Sequence, residues 1–129
     1  MYFKKEKKIL VEISDKKKLK DLQEEFNRQF PFLQLEFFAK PHQPGKPSFE
    51  KDILKNDLLV GEVREVHNNG HFTVDGNMKV SDFEQFLYQS FGLNVQVFRK
   101  SYGKWLQTWA TDIWSLNEQN RRGKILGNR

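Results

Sequence analysis

The sequence predicts an α+β fold, a two-layer sandwich in which a mixed sheet of four or five strands carries helices on one face. Three observations predict it. Segments that alternate apolar and polar residues are interleaved with segments of helical spacing, in the order β-α-β, connecting helix, β-α-β-β-α. Two Ser-x-x-Glu spacings, Ser81 with Glu84 and Ser115 with Glu118, mark helix starts. A proline-rich stretch over 41–48 separates two halves of like layout. Right-handed crossovers would put both main helices on one side of the sheet, so a ferredoxin-like split βαβ arrangement is the leading topology.

Taken in order, Ile9, Val11 and Ile13 alternate with Leu10, Glu12 and Ser14, as a buried strand does. The span Lys16 to Arg28 is helical, with Leu19, Leu22, Phe26 and Phe30 on one face and Ser14 or Asp15 as its cap; Pro31 ends it. Leu35, Phe37 and Ala39 alternate again and complete a β-α-β half over 1–40. Pro41, Pro44, Gly45 and Pro47 then form a linker. In the half over 49–122, Leu59, Val63 and Val66 suit a short connecting helix that Asn68-Asn69-Gly70 stops.

Phe72 to Asp75 reads as a strand that turns at Gly76. The first capping box opens a helix over 82–91, where Phe83, Phe86, Leu87 and Phe91 share a face and Gly92 takes the left-handed closing position. Leu93, Val95 and Val97 begin a hairpin whose return strand runs from Trp105 to Ala110. The second box starts a short helix that Arg121, Arg122 and Gly123 close, and a basic tail follows over 123–129.

A chain of 129 residues, 37% hydrophobic and 30% charged, makes one domain over 1–129 with a modest core. It contains no cysteine, so disulfides and thiolate metal sites are excluded. No apolar run reaches the roughly 18 residues of a membrane span, and the first residues lack the apolar core of a signal peptide, so the expected location is cytoplasmic with no membrane partner. The net charge of +5 sits at the two ends: residues 1–20 carry +5, residues 121–129 carry +4, and the body between them carries −4. Lys4, Lys5, Lys7, Lys8, Arg121, Arg122 and Lys124 are therefore the candidate basic patch, should the ends lie side by side.

The run Gly92-Leu93-Asn94-Val95-Gln96-Val97-Phe98-Arg99-Lys100-Ser101, with Trp105, Thr108, Thr111-Asp112, Trp114 and Gln119-Asn120 after it, resembles the C-terminal signature of a family of small uncharacterised bacterial proteins, a domain of unknown function. The resemblance covers about the last sixty residues and implies a bacterial source and a compact α+β fold. It implies no activity and no site residue. Phosphate loops, the dinucleotide fingerprint and the zinc-protease helix motif are absent from the sequence.

His67 and His71 stand four apart, a metal spacing on a helix, but Asn68-Asn69-Gly70 interrupts any helix between them and no third ligand is near in sequence, so surface histidines are expected and no metal or cofactor. Asp112 is the candidate general base and Glu84 or Glu118 the candidate acid; each also has a position at or near a helix cap that accounts for it, so no catalytic residue is expected.

The aromatics carry the functional expectation. If Leu93, Val95 and Val97 face the core, Asn94, Gln96, Phe98 and Lys100 face away from it, joined by Trp105, Gln107 and Trp109 of the return strand. Exposed, that face is a protein interface or a base-stacking platform; alternatively the last helix folds over it through Trp114 and Leu116 and buries it. The expected function is a non-enzymatic binding or assembly domain, pairing with itself or an unidentified protein through this face. The alternative is a nucleic-acid-binding domain that uses the basic ends and the aromatic face, although the Lys/Arg-Gly-aromatic strand motif of RNA-recognition folds is missing.

Overall fold

The computed structural model describes residues 8–127. The chain is α+β, with five strands and three helices among the described residues: β1 (Leu10–Ile13), α1 (Leu19–Gln29), β2 (Leu33–Phe37), β3 (Gly70–Thr73), α2 (Val80–Phe91), β4 (Val95–Ser101), β5 (Lys104–Gln107) and α3 (Leu116–Leu126). The strands form two antiparallel sheets, β1-β3 and β2-β4-β5, rather than a single mixed sheet. Neither contains the parallel pair that a split βαβ unit would supply: β1 meets β3 with Val11 opposite Phe72, and β2 meets β4 with Leu35 opposite Val97. No helix of the described residues is long and apolar enough to cross a membrane.

The alternation and spacing of the sequence explain where the core sits. Val11 and Ile13 of β1, Leu19, Leu22 and Phe26 of α1, Leu33, Leu35 and Phe37 of β2, Val80, Phe83, Leu87 and Phe91 of α2 and Val95 and Val97 of β4 are all buried in one cluster. Phe26 stacks on Phe83 with ring centroids 5.3 Å apart, joining α1 to α2. Leu116 of α3 is also in this cluster.

The helix starts differ from the expected ones for a common reason. Main-chain carbonyls of crossing segments satisfy their first donors: Leu58 and Asn56 accept from Leu19 and Lys20 of α1, and Trp114 and Asp112 accept from Val80 and Ser81 of α2. A first turn already satisfied needs no hydroxyl cap. Helix α1 thus begins at Leu19, with neither Ser14 nor Asp15 capping it, and α2 begins at Val80, which moves Ser81 inside the helix. The second box survives in part. Ser115 Oγ accepts from Glu118 N at 3.0 Å, while the Glu118 carboxylate turns to Arg121 and Arg122.

The expected connecting helix over 57–67 is only a 3-10 turn, Val60–Glu62. Its stretch supplies the carbonyls that α1 uses, and Val66, one of the three apolar residues that suggested a helix, is exposed. Gly123 does not close α3 but lies within it. A Cβ there would meet Phe32 Cβ and O at 2.8 Å, so the missing side chain lets α3 rest directly on the start of β2. Gly92 does close α2, at φ 68°. The hairpin β4-β5 turns through Tyr102 and Gly103, both at positive φ, as a tight two-residue loop requires.

Candidate functional site

Strand β4 has seven residues and its partner β5 has four, so β4 runs on past the end of the pair. Alternate residues of β4 point their backbone groups to opposite sides: Asn94 O and Lys100 N bond to the β2 side, and Val97 O bonds to Thr108 N beyond β5. Beyond Thr108, the unpaired edge at Val95 and Val97 is closed by side chains. Glu84 Oε2 of α2 accepts the Val97 N–H at 2.8 Å, Thr108 Oγ1 donates to Val97 O at 2.8 Å, and His42 Nε2 lies 3.0 Å from Val95 O.

His42 belongs to the proline-rich stretch, which lies along this edge as a strap. Its Nδ1 is 3.0 Å from Gln43 O, so both ring nitrogens face carbonyls. Farther along, Gly45 N donates to Asp112 Oδ2 at 2.7 Å, and Ser48 exchanges two hydrogen bonds of 2.9 Å with the Gln107 amide.

Between strap, α2 and β4 lies a cavity of about 210 Å³, lined by His42, Pro44, Glu84, Tyr88, Asn94 and Val95 among others. Glu84 is 4% exposed, and its second oxygen, Oε1, has no hydrogen-bond partner among the described residues. His42 Nε2 stands 3.5 Å from Oε1, farther than its 3.0 Å to Val95 O. Burial pushes the Glu84 carboxyl up to about 8; the Val97 N–H opposes the rise and the charge of Asp112 adds to it, so the group is neutral at pH 7. Asn94 Oδ1, on the same cavity, is also buried and without a partner.

The expected aromatic face holds as a register, with Gln96 buried and Phe98, Lys100, Trp105 and Gln107 half-buried. Gln96, Phe98 and Lys100 share a face with Trp105 and Gln107, since Phe98 pairs with Gln107 and Lys100 with Trp105. Trp109 is not on it: β5 ends at Gln107, and Trp109 opens a 3-10 turn. Gln96 is 0% exposed, bonded to Ser48 Oγ and to Gln107 Oε1. The residues from Ser48 to Leu54 cover this end of the face, where Phe38 bridges Ile53 and stacks on Phe98. Trp114 and Leu116 do not. Helix α3 packs on the opposite side, with Gln119 accepting from Arg99 and Gly123 against Phe32.

Of the candidate basic patch, Lys4, Lys5 and Lys7 lie outside the described residues, and Lys8 is exposed. Arg121 and Arg122 both bond to Glu118, whose carboxyl the two guanidinium hydrogen bonds hold down at about 2, and Arg122 also lies over the Trp114 ring at 5.2 Å. Lys124 is exposed on the same helix. His67 Nδ1 is 2.8 Å from Asp15 Oδ2, while His71 is exposed on β3, and no three His, Asp or Glu side chains converge as a metal would need among the described residues.

Of the three acid and base candidates, Glu84 and Asp112 come together at the strap, and Glu118 stays apart on the surface of α3. The sequence signal for Glu84 was its place on the apolar stripe of α2, four residues after Val80, three before Leu87 and seven before Phe91. His42 had no such signal, being a lone histidine among prolines. The chain matches no protein-family model, no curated protein and no solved structure, which leaves the geometry of this strand edge as the ground for a functional reading.

Proposed function

We propose that this chain is a small non-enzymatic binding domain whose ligand site is the cavity between the proline strap, α2 and the unpaired edge of β4. The observation that carries the reading is the pair of buried oxygens with no hydrogen-bond partner among the described residues, Glu84 Oε1 and Asn94 Oδ1, on two side chains that line one cavity. A buried polar atom left unsatisfied costs about 1 to 3 kcal/mol, and a ligand that supplies the missing donors recovers it. The polar groups of the lining are suited to holding a ligand rather than to attacking it: His42 and Glu84 both serve the backbone of β4, and no serine, threonine, cysteine or lysine lines the cavity. A library of small polar fragments, followed through the amide NMR signals of Val97 and Gly45, tests the reading. Saturable shifts of these two signals are expected, and a library that leaves both unmoved overturns it.

A second reading, self-association, is favoured by Leu106, Trp109 and Ile113, which are 47%, 39% and 68% exposed and follow one another along β5 and the turn after it. Sedimentation at micromolar concentration would then give a dimer that Trp109→Lys converts to a folded monomer. A wild-type monomer at high concentration excludes this reading without touching the first.

A further inference from the structure

Resting on the binding reading above, we infer that the ligand class of this cavity is a primary ammonium, a compact organic cation whose N–H groups bridge Glu84 Oε1 and Asn94 Oδ1. Once the Glu84 carboxyl has released its proton, both unsatisfied atoms are acceptors, and an ammonium brings three donors and no acceptor. A hydroxyl has one donor for the two oxygens, and a carboxamide has two but no charge to set against the ionised carboxylate. A guanidinium fits less well, because its planar fork seeks both oxygens of a carboxylate and the Val97 N–H already holds Oε2. A divalent metal lacks a third acidic or imidazole ligand among the described residues. The cavity, about 210 Å³, is smaller than the roughly 300 to 1,000 Å³ of sites for drug-sized molecules, and takes a head group with a few carbons against Tyr88 and Pro44.

The charges that face Glu84 are few and can be named. Asp112 approaches from the turn after β5, His42 from the strap, and the Tyr88 phenol lies one turn along α2. The nearby guanidinium of Arg64 is spent on Asp15 and on the carbonyls of Asn68 and Phe91. Two carboxyls therefore stand against one imidazole. With no cation present the Glu84 carboxyl holds a proton up to about pH 8, and a bound ammonium takes that proton's place. One proton leaves for each cation that enters, so binding strengthens about tenfold per pH unit below 8 and levels off above it.

The test uses n-butylammonium, its neutral counterpart butanamide, and tetramethylammonium, a cation without N–H donors, each titrated into the whole chain and followed by the Val97 and Val95 amide signals. Butylammonium should shift them saturably, with affinity about 25-fold weaker at pH 6.5 than at pH 8.5, and tetramethylammonium should leave them unmoved. Glu84→Gln, which keeps an acceptor for Val97, should abolish the butylammonium shifts, and Asn94→Ala should weaken them about tenfold. Butanamide binding as well as butylammonium, or butylammonium binding undiminished in Glu84→Gln, overturns the ammonium class and leaves the cavity as a binding site. Silence from all three probes overturns the class, and silence from the fragment library as well removes the site.

Discussion

Two polar clusters hold connecting segments of this chain to its core, and they differ in whether their hydrogen bonds close. The first is centred on Arg64. Its side chain is fully buried, and it donates through Nε and Nη2 to Asp15 Oδ1 and through Nη1 to the carbonyls of Asn68 and Phe91; His67 takes the other Asp15 oxygen. Asp15 and Arg64 thereby tie the segment after Val60 to the start of α1 and the end of α2. The second cluster is centred on Glu84, which serves β4 with one oxygen and leaves the other unpartnered, beside an equally unpartnered Asn94. Satisfied networks rigidify a structure, whereas buried groups without protein partners keep a cost that an incoming donor removes. The difference separates a structural staple from the proposed site.

The largest effect expected from the open cluster is a pH dependence. A carboxyl that stands near 8 when folded against an ordinary 4.5 binds its proton more tightly in the native state. The stability it lends is complete below pH 4.5 and is lost as the pH rises to about 8, at about 1.4 kcal/mol per unit. Across that window, wild type should lose on the order of 4 kcal/mol more than Glu84→Gln does. Denaturant melts at both ends of the window measure it, and parallel profiles for the two proteins would break the comparison, because Glu84 would then be ionised throughout.

The closed cluster should respond with the opposite sign. Burial works to raise the Asp15 carboxyl, but the hydrogen bonds and charges of Arg64 and His67 outweigh it and hold the group below its ordinary 3.8. Its contribution is therefore present above that value and is lost as the pH falls through the lowered one. Arg64→Met removes a buried charged donor from two carbonyls and a carboxylate and should cost about 3 kcal/mol. Thermal melts check the loss, which should arrive without any change in the shifts that small ammonium probes produce at Val97. A variant that lost both stability and probe binding would join the two clusters into one.

A third, smaller contrast concerns the helix caps and shows what the sequence could reveal. Ser115→Ala removes a hydroxyl that accepts from Glu118 N and should cost about 1 kcal/mol, whereas Ser81→Ala should fall within about 0.5 kcal/mol of wild type, because Ser81 sits inside α2. Both residues carry the same Ser-x-x-Glu signature. The strings that fold locally were legible: the alternation of Val11 and Ile13, the stripe of Leu19, Leu22 and Phe26, the closing turn at Gly92 and the hairpin at Tyr102-Gly103. What could not be read was every feature settled by a segment distant in sequence. The carbonyls of Asn56, Leu58, Asp112 and Trp114 replace side-chain caps, Phe32 explains Gly123, and the strap residue Ser48 covers the face that carries Gln96. The candidate site belongs to the same category. Glu84 and Asp112 were visible as carboxyls, but only the docking of the proline strap sets His42 and Gly45 against them, beside Asn94.

The smallest expected effect is the one that tests the openness of the second cluster most directly. In a closed network each side chain is held by partners, so truncation strands a donor or acceptor and is felt at 1 kcal/mol or more. Asn94 Oδ1 has no such partner, and Asn94 Nδ2 reaches Ala39 O only at 3.5 Å, so removing the amide should strand little. Its backbone carbonyl, which accepts from Phe38 N at 2.8 Å, is untouched by the substitution. Asn94→Ala should thus lie within about 0.5 kcal/mol of wild type, or slightly above it, since a desolvated and unsatisfied oxygen is lost. Equilibrium urea unfolding at pH 7 resolves a shift of that size. A loss of 2 kcal/mol or more would mean that Asn94 Oδ1 is already engaged in the ligand-free protein, and the cavity beside Glu84 would then be a second closed staple.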